Sequence, residues 1–343
     1  MNLKLEAIRY PRYLEEQHYR LFQEAWEKYF ASGGQAKLSV DTLRNLYENN
    51  PGGSAFIGVA RDGDIWAGSL AAIPFRIQLG EKKVITAYQI SDAIVSPRYQ
   101  RRSIMSSLVG ILTEKLGSLP ASVIYTFPNL RSRNAFIKNG YLSRNVLPTR
   151  FYFPSPTYCC FRLNSHKQSY RRFNRPIARY REIGHDEAAE LTTGRDTVLP
   201  RLVRDGEYLK WRYFQPTAED RFRLWAIEPA ASPKPLVAIT TCHRYSKGKF
   251  TVFLELLPQT GKDNPRWLAG MLTALGRRNG CGILYSNEKI GGGLLSPTWE
   301  LPLPDRFNPR PIELLIYPQP GNGELEKAFL STQFTTADWL GFL

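Results

Sequence analysis

The chain has few of the residues that build metal centres or disulfide frameworks. Its 343 residues include four cysteines and four histidines. The cysteines are Cys159, Cys160, Cys242 and Cys281. Their spacing is neither that of zinc ligands nor that of a disulfide-rich domain, and the histidines do not cluster with them. We therefore predict no metal site and a reduced, cytoplasmic setting.

Long hydrophobic runs are also missing. No stretch approaches the roughly 20 apolar residues of a membrane span, and residues 1–6 lack the basic-then-apolar layout of a secretory signal. Glycine pairs and triplets at 52–53 and 291–293 are not followed by Lys-Ser or Lys-Thr, so neither is predicted to be a phosphate-binding loop. The hydrophobic content of 43% and the length together predict a globular protein of two domains.

Acidic residues are nearly absent from one long segment. Between Arg98 and Glu182 there are 16 lysines and arginines, and the acids are Glu114 and Glu182. This segment supplies +14 of the net charge of +15. A solvated basic face and a field that attracts an acidic ligand both fit. Arginines and aromatics interleave over 162–181 as in single-strand binders, but no nucleic-acid-binding motif accompanies them, so nucleic acid is not the expected partner.

Hydrophobic periodicity divides the chain into two similar halves. Each half closes a helix five residues before a proline that precedes a strand pair, at 46–51 and at 211–216. The first half has predicted strands at 3–9, 55–61, 65–77, 84–95 and 122–127 and helices at 14–30, 40–47, 104–116 and 131–138. The second half has predicted strands at 179–183, 222–227, 235–241, 250–256 and 282–286 and helices at 186–191, 207–213 and 265–278. We predict an α/β protein of tandem mixed sheets flanked by helices, with domains at 1–150 and 179–343 and a basic, aromatic connector at 151–178.

The most informative local pattern is a strand that runs into a basic helix start. The apolar strand 84–95 is ended by Pro97, and apolar residues at helical spacing begin at Ile104, with Ser103 as N-cap. Between them lie Arg98, Arg101 and Arg102. Because the first amides of a helix point out of its first turn, this segment predicts an anion site that suits a diphosphate.

These residues resemble the GNAT superfamily of acyl-CoA-dependent N-acyltransferases. Residues 100–105, Gln-Arg-Arg-Ser-Ile-Met, lie in the frame of its donor loop, Gln/Arg-x-x-Gly-x-Gly/Ala, and residues 127–141 look like the next strand and helix. Ser103 and Met105 replace the two glycines, and Phe136 stands where many relatives have the tyrosine that reprotonates the leaving thiolate. The corresponding loop of the second half, at 258–265, lacks clustered arginines, so diphosphate is expected to bind in the first half.

The resemblance implies a tandem GNAT-like fold with an acyl-CoA site made of three segments. The backbone of Ala93, Ile94 and Val95 would hold the pantetheine arm and offer an amide to the thioester carbonyl. The amides that would cradle the diphosphate are those of Gln100, Arg101, Arg102, Ser103, Ile104 and Met105. Asn129 would contact the pantetheine arm. Each segment also has a purely structural interpretation. Residues 93–95 would be ordinary strand core, residues 100–105 the start of a plain capped helix, and Asn129 a turn or cap residue.

A general base is harder to assign. Asp92 is the sole carboxylate of the strand 84–95 and is the first candidate, with Gln89 and Tyr125 able to hydrogen-bond through water. A structural role for Asp92 at a strand bulge fits equally. Myristoyl-transferring relatives, which also have two units, use a C-terminal carboxylate, here that of Leu343.

The implied function is acyl transfer from acetyl-CoA or another acyl-CoA to an amine of a small molecule, an amino sugar or a peptide. The basic connector suits an acidic acyl carrier protein equally well as donor. A catalytically silent acyl-CoA-binding or interaction module is the alternative, and Met105 and Phe136 favour it.

Overall fold

Two mixed β-sheets, covered by helices, form the fold. The computed structural model describes residues 3–10, 15–30, 40–81, 83–120, 122–147, 150–152, 178–192, 200–214, 222–229, 235–245, 248–257, 284–286 and 312–330. The predicted α/β class is confirmed. In this part of the chain, no helix is long and apolar enough to cross a membrane.

The elements follow the predicted periodicity closely in the first half of the chain. They are β1 (Leu3–Arg9), α1 (Glu15–Phe30), α2 (Val40–Tyr47), β2 (Phe56–Asp62), β3 (Ile65–Gln78), β4 (Val84–Val95), α3 (Ile104–Gly117), β5 (Ser122–Thr126), α4 (Leu130–Lys138) and β6 (Leu142–Leu147). The second half contains β7 (Arg150–Tyr152), β8 (Ala178–Glu182), α5 (His185–Thr192), β9 (Arg201–Leu202), α6 (Gly206–Tyr213), β10 (Phe222–Pro229), β11 (Leu236–Tyr245), β12 (Gly248–Leu257), β13 (Leu284–Ser286), β14 (Ile312–Tyr317) and α7 (Gly323–Leu330).

The two sheets share one pairing scheme through five strands. The first sheet has the order β1-β2-β3-β4-β5-β14-β6, with β9 also beside β3, and the second has the order β8-β10-β11-β12-β13-β7. In both, three antiparallel pairs are followed by one parallel pair, β4 with β5 and β12 with β13. A tandem repeat would produce this agreement, and the predicted domain bounds stay a prediction.

Strand β14, near the C-terminus, lies in the first sheet. It pairs antiparallel with β5 on one side and with β6 on the other. Two ion pairs hold this region: Arg133 of α4 with Glu313, where one N–O distance is 2.9 Å, and Arg144 of β6 with Glu326 of α7, at 2.7 Å. Strand β7, which directly follows the first half, pairs with β13 in the second sheet. The first sheet is therefore built from both halves of the chain.

Each face of the first sheet has its own apolar core. Helices α3 and α4 cover one face, on which Leu70, Ile90 and Ile124 are buried. Helix α3 lies so close to β3 that a Cβ atom at Gly68 would be crowded. It would meet the Ile94 carbonyl oxygen at 3.0 Å and Ile104 Cγ2 at 3.1 Å. Helices α1, α2, α6 and α7 lie over the other face. The start of α3 is thus fixed directly against the end of β4.

The second half also contacts the first through α6. Asn45 of α2 donates from Nδ2 to the Trp211 carbonyl at 3.0 Å, and Trp211 donates from Nε1 to the Asn45 carbonyl at 2.9 Å. Arg76 of β3 donates to both carboxylate oxygens of Asp205, the N-cap of α6, at 2.9 and 2.8 Å. These bonds join α6 to α2 and β3.

Several predicted features lie outside the described residues. They are the helix 265–278, the loop 258–265, the glycines 291–293, residues 153–177 of the connector and the carboxylate of Leu343.

Candidate functional site

Strands β4 and β5 part within the first sheet. They are paired in parallel from Thr86 with Ser122 to Ile90 with Thr126, where β5 ends. Beyond that point β4 continues to Val95 and pairs with β3. Ala93 is exposed, and Ile94 and Val95 are half-buried. In the part of the chain that the structure describes, no strand pairs with residues 91–95 on the side of β5. This open edge, called the β4 opening below, is where an extended ligand can add hydrogen bonds to the strand.

A β-bulge places Asp92 at this opening. Ser69 pairs with Ile94 and Ala71 pairs with Ser91, so Asp92 and Ala93 share the place opposite Leu70. Asp92 has a φ of 52°, which is rare for a residue other than glycine and costs about 1–3 kcal/mol. Its Oδ2 accepts from the Tyr47 hydroxyl at 2.8 Å and from Ser91 Oγ at 3.2 Å. The bulge thus directs the carboxylate to the face covered by α2.

The surroundings of Asp92 favour its protonated form. Burial raises the pKa of the carboxyl above its usual value, and the hydrogen bonds from Tyr47 and Ser91, with the charge of Arg212, oppose that rise in part. Bulges next to functional sites commonly re-aim a side chain, and a carboxyl with a raised pKa accepts protons more readily near neutral pH. The structure therefore places Asp92 at a strand bulge, and its role as the general base stays a prediction.

Tyr47 belongs to a buried aromatic cluster. Its ring stacks on that of His18, with centroids 5.5 Å apart, and lies 4.9 Å from that of Tyr10. His18 Nε2 lies 3.1 Å from Ser69 Oγ, and burial lowers the pKa of His18 to about 3, so its imidazole is neutral at physiological pH. Burial also raises the pKa of Tyr47 well above its usual value. Sequence reasoning did not single out Tyr47 or His18, because both follow the ordinary apolar periodicity of their helices.

Tyr125 lies in the core beneath α7. It is fully buried, its hydroxyl is 3.5 Å from Gln89 Oε1, and its ring is 4.8 Å from that of Phe329. Gln89 and Tyr125 thus lie together, whereas the carboxylate of Asp92 is bonded to Tyr47 and Ser91. A catalytic role for Tyr125 stays a prediction.

The loop before α3 has an unusual backbone. After a short 3-10 helix at Pro97–Tyr99, Arg101 and Ser103 adopt left-handed conformations with φ of 63° and 57°. Ser103 is the N-cap of α3, yet its side chain makes no capping hydrogen bond. The Ser103 side chain therefore does not occupy the amides of the first turn, from Ile104 onward, and these amides can donate hydrogen bonds to an anion. Left-handed residues in such a loop turn successive amides toward one side, which is the geometry of an anion-binding nest.

Arginine side chains surround this loop. Arg101 and Arg102 are exposed, and the Arg102 guanidinium lies 5.7 Å from the Tyr99 ring centroid. The Arg98 side chain is 84% exposed and reaches Glu24 at 4.0 Å, too loose a contact to cancel its charge. The predicted donor-loop residues Gln100, Arg101, Arg102, Ser103, Ile104 and Met105 thus lie together at one end of the β4 opening. Among the described residues there is no cluster of three or more metal-ligating side chains.

Comparison with known proteins identifies the part of the chain that holds this geometry. Residues 10–138 match the model of the acetyltransferase (GNAT) domain. The chain contains a GNAT acetyltransferase domain. The match includes the β4 opening, Asp92, the donor loop and Asn129. No curated protein sequence matches the chain significantly.

Solved structures of the same fold cover most of the chain. A GCN5-related N-acetyltransferase from Anabaena variabilis ATCC 29413 aligns with a TM-score of 0.57 and 12% identity, over 91% of this chain and 72% of its own. A probable N-acyltransferase from Enterococcus faecalis V583 aligns at 0.58 and 10%, over 91% and 72%. A GCN5-related N-acetyltransferase from Kribbella flavida aligns at 0.52 and 12%, over 92% and 71%. At these identities the likeness shows the fold alone.

The departures from the GNAT pattern have structural explanations. Ser103 replaces a glycine and keeps a left-handed backbone, as glycine would. Met105 packs against the core under α3. Phe136 is 2% exposed, with its ring 5.1 Å from that of Tyr141, so it is a core residue of the GNAT domain.

Asn129 caps α4. Its Oδ1 accepts from the amides of Arg131 and Ser132 at 2.9 and 3.0 Å. The cap role that the sequence left open is therefore present. The residue is also exposed, and its contact with a pantetheine arm stays a prediction.

Ser103→Gly is expected to stabilise the GNAT domain. The φ of 57° strains serine and not glycine, so the free energy of unfolding should rise by about 0.5–1 kcal/mol. Ser107→Gly, in the first turns of α3, is the matched control and should lower it by a similar amount, because glycine weakens a regular helix. Urea denaturation measures both. Equal losses for the two variants would show that residue 103 is not strained.

Proposed function

We propose that the protein is an N-acyltransferase that moves an acyl group from acetyl-CoA or another acyl-CoA to an amine of a small molecule, an amino sugar or a peptide. The observation that carries this proposal is the parting of β4 from β5 beside the basic start of α3. One end of that opening suits a diphosphate, and the strand edge suits the amide-bearing pantetheine arm. With the diphosphate at the start of α3 and the pantetheine arm along β4, the thioester of the acyl-CoA would lie near the bulge at Asp92.

The chemistry needs a neutral amine and a polarised carbonyl. In the proposed reaction the amine nitrogen attacks the thioester carbon, while a backbone amide of Ala93–Val95 stabilises the developing oxyanion. Asp92 accepts the proton that the amine loses, and the C–S bond breaks to release the CoA thiolate. Since Phe136 is buried in the core and the Tyr125 hydroxyl is directed to Gln89, the thiolate takes its proton from solvent.

The rest of the chain has a supporting role in this proposal. The shared pairing scheme of the two sheets supports a second, degenerate GNAT-like unit, which helps to build the acceptor pocket through α6. The basic segment between Arg98 and Glu182 would attract the phosphates of CoA, an acidic acyl carrier protein or an acidic peptide. A cytoplasmic location stays a prediction.

A silent acyl-CoA-binding module is the second candidate. The buried Phe136 favours it, because a phenyl ring in the core offers no acid for the leaving thiolate. This module would bind the same ligand at the same opening and release no thiol.

Thiol release separates the two candidates. The full chain is incubated with acetyl-CoA or a longer acyl-CoA and a panel of amines, and free thiol is measured above the background without amine. We expect amine-dependent release that is inhibited by CoA. Calorimetric binding of acyl-CoA without release would favour the silent module, and the absence of both would refute the donor site. Mass analysis of small molecules released from the denatured protein would identify the donor.

A further inference from the structure

The strained backbone of Asp92 is supported from outside its own strand. A left-handed, non-glycine residue persists where neighbouring groups hold it. Here the strongest visible hold is the 2.8 Å hydrogen bond from the Tyr47 hydroxyl, since the bond from Ser91 within β4 is longer, at 3.2 Å. Tyr47 is fully buried at the end of α2, so its hydroxyl has one defined position.

Helix α2 is in turn held by the second half of the chain. Two reciprocal hydrogen bonds between Asn45 and Trp211 join it to α6, and they lie two residues before Tyr47 along α2. The neighbour of Trp211, Arg212, is 8% exposed, and its positive charge opposes the rise that burial causes in the pKa of Asp92. The contact between α2 and α6 therefore involves two groups that influence Asp92. Tyr47 donates a hydrogen bond to its carboxylate, and the charge of Arg212 favours the ionised form.

We propose that Tyr47, held in place by the contact of α2 with α6, is a positioning residue for Asp92, so that α6 of the second half sets the orientation of the proposed base in the first half, with the charge of Arg212 in a supporting role. This inference rests on the proposed function, which gives Asp92 its role. It explains why a GNAT domain whose site residues all lie in the first half is fastened to a second unit at α2.

The sign of the effect follows from the groups around the carboxylate. Tyr47 on α2, Ser91 on β4 and Arg212 on α6 all favour its ionised form, whereas burial opposes it. Tyr10, after β1, and His18 on α1 pack against Tyr47, and His18 is neutral because burial lowers its pKa to about 3. Removal of the Tyr47 hydroxyl or of the Arg212 charge should thus raise the pKa of Asp92.

The test reads Asp92 directly and through activity. In protein labelled with ¹³C at aspartate Cγ, and with Asp92→Asn for assignment, the Asp92 resonance is titrated in the full chain. Tyr47→Phe and Arg212→Gln are each expected to shift its midpoint upward by about one pH unit. The acid limb of kcat/KM should move by the same amount, because the base must be ionised to act. Arg212→Lys keeps the positive charge, so its Asp92 midpoint should stay close to that of the natural protein.

Tyr141→Phe is the matched control. Tyr141 is as buried as Tyr47, but its hydroxyl shares a hydrogen bond with Thr113 at 2.8 Å on the opposite face of the sheet. Tyr141→Phe should lower the free energy of unfolding about as much as Tyr47→Phe does. It should leave both the Asp92 midpoint and the acid limb of kcat/KM unchanged. If Arg212→Gln does not fold, Trp211→Phe, which removes one bond between α6 and α2, should give a smaller upward shift.

The outcomes separate this inference from the proposed function. An unchanged Asp92 midpoint in Tyr47→Phe, or an equal shift in Tyr141→Phe, overturns the inference even if Asp92→Asn abolishes activity. Shifted midpoints in Tyr47→Phe and Arg212→Gln with full activity in Asp92→Asn support the positioning of Asp92 and refute its role as the base.

Discussion

Residues 1–150, expressed alone, are expected to lack a cooperative unfolding transition. The missing β14 fills the place between β5 and β6, and the missing α7 covers Tyr125. The buried side chains lost with these elements are Leu314, Leu315, Ile316 and Phe329. At about 1.5–3 kcal/mol for each, their loss amounts to roughly 6–12 kcal/mol, which is comparable to the whole stability of a typical domain, about 5–15 kcal/mol.

A hairpin-closed version of the same fragment is the control. Leu147 at the end of β6 lies opposite Ile312 at the start of β14. Residues 1–147 can therefore be joined through Asn-Gly to residues 312–330, since this dipeptide forms the two-residue turn that antiparallel strands favour. Both proteins lack α6, so they differ in the β14 and α7 segment. Circular dichroism in increasing urea should show a cooperative transition for the closed version and none for residues 1–150, and the same cooperative transition in both would contradict the proposed need for β14.

Asp92→Asn is expected to lower kcat/KM for acyl transfer by about 10²–10⁴-fold, the usual contribution of a general base. Asparagine keeps an oxygen that can accept from Tyr47 and Ser91, so the bulge should persist. Asp64→Asn, at an exposed position of the turn between β2 and β3, is the control and should retain full activity. Unchanged turnover of Asp92→Asn at saturating substrates would remove Asp92 as the base.

Stability gives a second measure of the same variant. Because the pKa of Asp92 is raised in the folded state, chiefly by burial, the folded protein holds this proton more tightly than the unfolded chain. The stability that protonation provides is present below the unfolded pKa and is lost as pH rises through the folded pKa. Asp92→Asn should therefore be at least as stable as the natural protein at pH 7. If the ionised Asp92 carboxylate instead stabilised the fold, Asp92→Asn would have a lower free energy of unfolding than the natural protein at pH 7.

Local patterns predicted the elements of the first half well. The helix at 40–47 and the strand at 84–95 have the predicted bounds, because their apolar periodicity is carried by adjacent residues. The donor loop was predicted from its frame, and the φ of Ser103 shows why glycine is usual there. The sequence also allows a strand bulge at Asp92, which the structure contains.

Long-range partners could not be predicted in the same way. Ile312–Tyr317 is a short apolar run, and nothing within it indicates that it pairs with β5 and β6. Likewise Tyr47 and Arg212 follow ordinary helical patterns, and their relation to Asp92 depends on how α2, α6 and β4 meet. Such contacts between distant segments have no local signature, because side-chain periodicity reports the buried face and not its partner.

The insertion of β14 between β5 and β6 also has a consequence during synthesis. At roughly 5–20 residues per second, β14 emerges from the ribosome roughly 10–40 s after β5. Until then β5 has an unpaired edge and β6 lacks its neighbour in the sheet. The nascent first half must therefore wait for almost the entire chain before its sheet can close, and during that interval it presents a strand edge to which other chains can bind.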